Sequence, residues 1–86
     1  MHSVVIEQRA GKTLKKLPHN IRTRINQSIA GLKSNPRPYG YKKLKNSDYC
    51  RIRIGDYRVI YSIKKREVIV VIIYIGHRKE VYRFFK

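Results

Sequence analysis

Apolar residues fall into two regimes along the chain. Ser3-Val4-Val5-Ile6-Glu7 is short and β-branched and predicts a strand. Arg9 to Leu17 carries charge around Leu14 and Leu17 and predicts a short helix stopped by Pro18. Asn20 is a candidate cap for a second helix. There Ile21, Ile25, Ile29 and Leu32 recur at helical spacing, with Arg22, Arg24, Gln27 and Lys33 outside the stripe. Asn35-Pro36-Arg37-Pro38 ends that helix. The two helices predict an antiparallel hairpin that buries one face against a flat surface.

The second half supplies that surface. Residues 41–45 predict a short edge strand. Tyr49 to Ile54 alternates, with Tyr49, Arg51 and Arg53 on one side and Cys50, Ile52 and Ile54 on the other. Gly55-Asp56 reads as a two-residue turn of type II′, with glycine first. Tyr57 to Ile63 returns as a strand, Lys64 to Glu67 turns again, and Val68 to Ile75 reads as a central strand broken by Gly76. Arg78 to Phe85 predicts a short terminal helix or tail. The expected fold is α+β: a single domain over residues 1–86. In it, an N-terminal strand and a helical hairpin pack on an antiparallel twisted sheet of about four strands, with a short C-terminal helix or tail.

Register gives this pattern chemical content. With Gly55-Asp56 as the loop, Ile54 pairs with Tyr57, Arg53 faces Arg58, Ile52 faces Val59 and Arg51 faces Ile60. Arg51, Arg53 and Arg58 then share one sheet face, because facing residues do. Like charges set opposite each other in a sheet cost on the order of tenths of a kcal/mol up to about one. No carboxylate lies in either strand to offset this. A bound anion would, and the planar guanidinium suits phosphate. A merely solvated face would be served by Thr, Ser or Glu without the repulsion.

Charge widens the point. The chain has 86 residues, with 21 Lys plus Arg against 5 Asp plus Glu, a formal net charge of +16. Such an imbalance points to a polyanion or an acidic protein partner. The few carboxylates, Glu7, Asp48, Asp56, Glu67 and Glu80, argue against paired-carboxylate chemistry and two-metal nuclease sites. With one cysteine, Cys50, and scattered His2, His19 and His77, there is neither an internal disulfide nor zinc-ligand spacing. No metal and no cofactor are expected. The N-terminus lacks the long apolar run of a signal peptide, and Val68 to Ile75 is too short to span a bilayer. The expected location is the cytoplasm, away from membranes.

The C-terminal string adds Gly76-His77-Arg78-Lys79-Glu80-Val81-Tyr82-Arg83. If helical, it sets Arg78 and Tyr82 on one face, where a guanidinium and a phenol could hold a phosphate or stack on a base. Tyr82 could equally pack the terminus down, as Phe84 and Phe85 are expected to do. Tyr39, Tyr41, Tyr49, Tyr57, Tyr61 and Tyr74 are too many to be catalytic, and most read as amphipathic residues at the edge of the core.

The run from Asp48 to Tyr61, containing IRIGDYRVIY, and the later IGHRKEVY closely resemble the RelE family of the RelE/ParE toxin superfamily. The likeness covers nearly the whole chain. It implies a metal-independent endoribonuclease that cleaves mRNA in the ribosomal A site, with rRNA contacts. Its 2′-hydroxyl attack leaves a 2′,3′-cyclic phosphate and a 5′-hydroxyl. The family's catalytic positions fall on Arg51, Arg53, Arg58, Arg78 and Tyr82. Some members carry lysines where this chain has Arg51 and Arg53. Arginine is a poor base, since it stays protonated to a pH above about 12, so the resemblance leaves Arg51, Arg53 and Arg58 to bind and stabilise phosphate. The base for the 2′-hydroxyl is then Tyr82 or His77. Lys42, Lys43, Lys45 and Arg83 are further candidate RNA contacts. The family also implies an acidic cognate antitoxin, which either covers the arginine face or pulls the C-terminal segment away. Two other readings stay open: a ParE-like inhibitor of DNA gyrase, and a non-catalytic basic module that binds RNA or the ribosome.

Overall fold

The structure is a computed structural model and describes residues 2–80. Its elements are β1 (Ser3–Ile6), α1 (Gln8–Lys16), α2 (His19–Gly31), β2 (Lys42–Lys43), β3 (Tyr49–Ile54), β4 (Tyr57–Lys64) and β5 (Ile69–His77). The strands form one five-stranded sheet in the order β1-β5-β4-β3-β2. The sheet is mixed, not purely antiparallel. β1 joins it as an edge strand parallel to β5, pairing Val4 with Val70 and Ile6 with Ile72. The physical reason is backbone satisfaction. The β5 edge would otherwise be open, and with α1, α2, β2, β3 and β4 lying between the two strands in the chain, connection length does not prevent a parallel pairing.

Both helices form where the apolar spacing places them. α1 lies over β5 and buries Ala10 and Leu14, with Lys15 and Lys16 in its last turn, where cations suit the helix dipole. α2 lies over β3 and buries Ile25 and Ile29; Leu32 just beyond it is also buried. Asn20 is not the cap, because α2 starts one residue earlier with Pro18 before it. The Asn20 side chain still accepts a hydrogen bond from the Ile21 N–H at 3.0 Å, satisfying one of the first-turn amides. The core fills the space between helices and sheet with Ile52, Ile54, Val59, Tyr61, Val70, Ile72 and Ile75.

The register of β3 with β4 is the one the two-residue turn demands. Ile54 faces Tyr57, Arg53 faces Arg58, Ile52 faces Val59 and Arg51 faces Ile60. Gly55 has φ +59° and Asp56 does not have a positive φ, which fits glycine at the first position of a type II′ turn. The last strand differs from expectation. β5 runs on through Gly76 to His77, opposite Arg58 and Tyr57. A register irregularity lets Ile60 face Tyr74 while Tyr61 faces Ile72, so Ile73 is an extra residue. Val70, Ile72 and Ile75 therefore point to the helices, and Tyr74 and Gly76 to the opposite face. Residues 78–80 begin a helical turn. The expected helix or tail beyond them lies outside the described residues.

One buried polar contact ties the α2–β2 connection to the sheet. The Tyr61 hydroxyl donates to the Pro36 carbonyl at 2.7 Å inside the core. Tyr61→Phe leaves that carbonyl unpaired and should cost about 1–3 kcal/mol, seen as a lower denaturant midpoint with unchanged slope. Burial also pushes the Tyr61 phenol well above its ordinary range. The unfolded chain ionises this group from a pH of about 10, while the folded chain keeps its proton. The stability Tyr61 gives is therefore present below that pH and falls as pH rises past it. Tyr61→Phe should flatten that part of the alkaline stability profile, measured by denaturation between neutral pH and the alkaline limit.

Candidate functional site

Two rows of side chains cross the sheet on the side away from the helices. One runs Arg51, Ile60, Tyr74; the next runs Arg53, Arg58, Gly76. Lys42 extends the first row beyond Arg51. Arg53 is exposed, Arg51 half-buried, and Arg58 is the one charged residue buried among those described, at 8% exposure. Ile60 is fully buried between Arg51 and Tyr74 in its row and forms an apolar floor.

Arg58 is held by the turn it follows. Its Nη1 donates to the Tyr57 carbonyl at 3.1 Å and to the Gly55 carbonyl at 3.3 Å. These bonds fix the plane of the guanidinium. Neither β3 (YCRIRI) nor β4 (YRVIYSIK) contains a carboxylate. The next strand end is tied to the same turn, since the Arg78 N–H donates to the Asp56 carbonyl at 2.8 Å. Arg78 therefore leaves the sheet beside the arginine hairpin, and its side chain is exposed.

The remaining predicted residues divide. His77 pairs with Tyr57 and so lies on the helix side of the sheet, not with the arginines. Its ring packs edge-on to Tyr57 at 5.7 Å, and its Nδ1 lies 3.4 Å from the Lys79 N–H. The separation follows from strand alternation, because Gly76 takes the arginine side and the next residue must take the other. Lys43 pairs with Cys50 and also faces the helix side, where it lines a cleft of ≈570 Å³ with Arg37, Lys64, Lys65 and Arg66. Lys45 is exposed in the connection before β3. Tyr82 and Arg83 lie outside the described residues. Cys50 is buried and outside any disulfide, and burial raises its thiol pKa against the opposing effect of Arg37 and Lys43. Among the described residues no three His, Cys, Asp or Glu side chains are grouped to hold a metal ion. None of the described helices is long and apolar enough to cross a membrane.

One further basic residue joins the site. Arg24 of α2 reaches the hairpin tip, with Nη1 3.7 Å from where a Cβ on Gly55 would sit, and it lines a cleft with Arg53. Its position outside the apolar stripe marks it as solvent-facing, but the sequence carries no sign that α2 passes over this turn.

The chain and its scaffold have counterparts. The family model described as "ParE toxin of type II toxin-antitoxin system, parDE" matches residues 4–82. The curated "Putative toxin RelE1" of Methanocaldococcus jannaschii is 36% identical over 94% of each chain. This chain is a RelE-type toxin of the RelE/ParE superfamily. The RelE–RelB complex from Pyrococcus horikoshii contains a chain that superposes with a TM-score of 0.81 at 30% identity, over 90% of this chain and 94% of the other. The RelBE2 toxin–antitoxin complex of Mycobacterium tuberculosis gives 0.78 at 28% identity, over 90% and 98%. These agree with the α+β fold of a helical hairpin on a mixed five-stranded sheet.

The facing arginines have a measurable cost. Arg53→Thr removes the repulsion across to Arg58 and adds a good strand former, so stability should rise by about 0.2–1 kcal/mol. The gain should shrink at high salt, where the repulsion is screened. Denaturant midpoints at low and high ionic strength check both statements.

Proposed function

We propose that this toxin is a metal-independent endoribonuclease that cleaves mRNA in the ribosomal A site. The observation that carries the reading is the Arg51, Arg53 and Arg58 cluster on one sheet face, with no carboxylate in either strand. Three guanidinium groups on one face suit a phosphodiester and the extra negative charge of its pentacovalent transition state.

In this mechanism the 2′-oxygen attacks the adjacent phosphorus and the P–O5′ bond breaks. The products are a 2′,3′-cyclic phosphate and a 5′-hydroxyl. Arg51, Arg53 and Arg58 hold the non-bridging oxygens. Arg58 is pre-aimed by its two carbonyl contacts, so little reorganisation is needed. Arg78, anchored at the hairpin tip, faces the charge that develops on the leaving 5′-oxygen, which takes up a proton. The base role goes to Tyr82 and not to His77, because His77 projects from the other side of the sheet. Lys42, Lys45 and Arg83 add positive charge along the RNA path. Lys43 and Arg37 do so at the opposite end of the hairpin, toward rRNA. The relatives from P. horikoshii and M. tuberculosis are found in complex with their antitoxins. An acidic cognate antitoxin for this chain is the matching proposal, supported by the +16 charge. The cytoplasm is where such a pair would meet translating ribosomes.

Purified toxin added to programmed ribosomes should cut the mRNA in EDTA and leave 2′,3′-cyclic phosphate ends. Arg58→Ala should slow single-turnover cutting by at least tenfold, since losing one oxyanion donor typically costs about a hundredfold or more. The exposed Arg53→Ala should do so with the fold intact by circular dichroism. Intact mRNA together with accumulated cleaved DNA–gyrase complexes would move the assignment to ParE-like action. Ribosome binding without any cut product would leave a non-catalytic module.

A further inference from the structure

The arginine rows contain a phenol that strand alternation and the extra residue in β5 bring to the same side. Tyr74 faces Ile60, and its ring leans along the strand over Gly76. A Cβ built on Gly76 would lie 2.7 Å from Tyr74 Cε1, 2.9 Å from Cζ and 2.8 Å from the hydroxyl. The phenol thus occupies the space a side chain at position 76 would fill. Gly76 is the direct cross-strand partner of Arg58, which faces Arg53. Side chains so paired have Cβ atoms about 5 Å apart. The Tyr74 hydroxyl therefore stands in the Arg53–Arg58 row as its third polar group.

We propose that Tyr74 is a substrate-contacting residue of this face. Its O–H, seated in the row because Gly76 lacks a side chain, donates a hydrogen bond to the RNA phosphate that Arg53 and Arg58 hold. The proposal rests on the ribonuclease reading above. A neutral donor suits the position, since a fourth cation would add to the repulsion already present. Burial and nearby Glu80 raise the Tyr74 phenol pKa against the opposing Arg9, which keeps it a donor and not a base. The Gly76 backbone has an ordinary φ, so its missing Cβ is explained by the ring above it and not by a turn.

Two substitutions separate this role from simple packing. Tyr74→Phe keeps the ring over Ile60 and removes only the hydroxyl. Gly76→Ala keeps the hydroxyl but forces the ring end aside. In single-turnover cutting of mRNA on programmed ribosomes, Tyr74→Phe should lower the rate roughly ten- to a hundredfold, as expected for one lost hydrogen bond to a charged group. The rates are compared at a temperature where circular dichroism shows both proteins folded. Gly76→Ala should lower the rate in the wild-type background and add little in the Phe background, because there is no hydroxyl left to misplace. Wild-type cutting by Tyr74→Phe overturns the proposal, as does an equal cost of Gly76→Ala in both backgrounds. If Gly76→Ala fails to fold, Tyr74→Phe alone decides. If the wild-type protein leaves mRNA intact, the ribonuclease reading and this role fall together. If it cuts and Tyr74→Phe cuts as fast, only the role of Tyr74 falls.

Discussion

A loop of two residues, Gly55 and Asp56, leaves β3 and β4 a single way to pair. With that length Arg53 must sit across from Arg58, and every other residue along both strands is assigned to the core or to the outer face. A register shifted by one residue would turn one strand over relative to the other, sending Ile52 or Val59 outward and Arg51 and Arg53, or Arg58, into the core, at a cost no small domain could absorb. The hydrophobic packing under α2 and the charge cluster above the sheet are thus two results of one turn. The left-handed φ of Gly55 makes that turn possible.

The electrostatic cost of facing arginines is modest beside the total stability of a small domain, yet nothing in the two strands reduces it. Arg58 is instead drawn onto the carbonyls of Gly55 and Tyr57. Those contacts partly offset the removal of its charge from water and set its direction. The scaffold alone does not choose a chemistry, since the RelE and ParE branches share it. The choice lies with the side chains on the outer face, and here they are basic and phenolic without an acid among their strands.

Much of this was legible in the residues. Ile21, Ile25, Ile29 and Leu32 announced the face that α2 buries, and the alternation around Gly55-Asp56 announced the β3–β4 register. What could not be read had specific causes. Val4 and Val5 show a strand but not its partner, so the parallel pairing of β1 with β5 was invisible. Gly76 looked like a strand breaker because its missing side chain has no local cause; the reason lies in the ring of Tyr74 two residues away. Tyr74 itself was indistinguishable from the other core-edge tyrosines. His77 enters through the resemblance as an alternative base, and the alternation of β5 puts it on the side of the sheet opposite the arginines. Arg24 joins the hairpin through tertiary packing that the pattern of α2 does not encode.

The extra residue in β5 bears on how relatives should be compared. Ile73 shifts the inside–outside parity of the strand part-way along, so the positions before and after it obey opposite odd–even rules. A homologue without this residue presents the same side chains on each face only when the gap is set at Ile73, because removing the extra residue restores simple alternation. Aligned without that gap, every later position of the strand is assigned to the wrong side. Residue roles in β5 therefore transfer between relatives only once the bulge has been located.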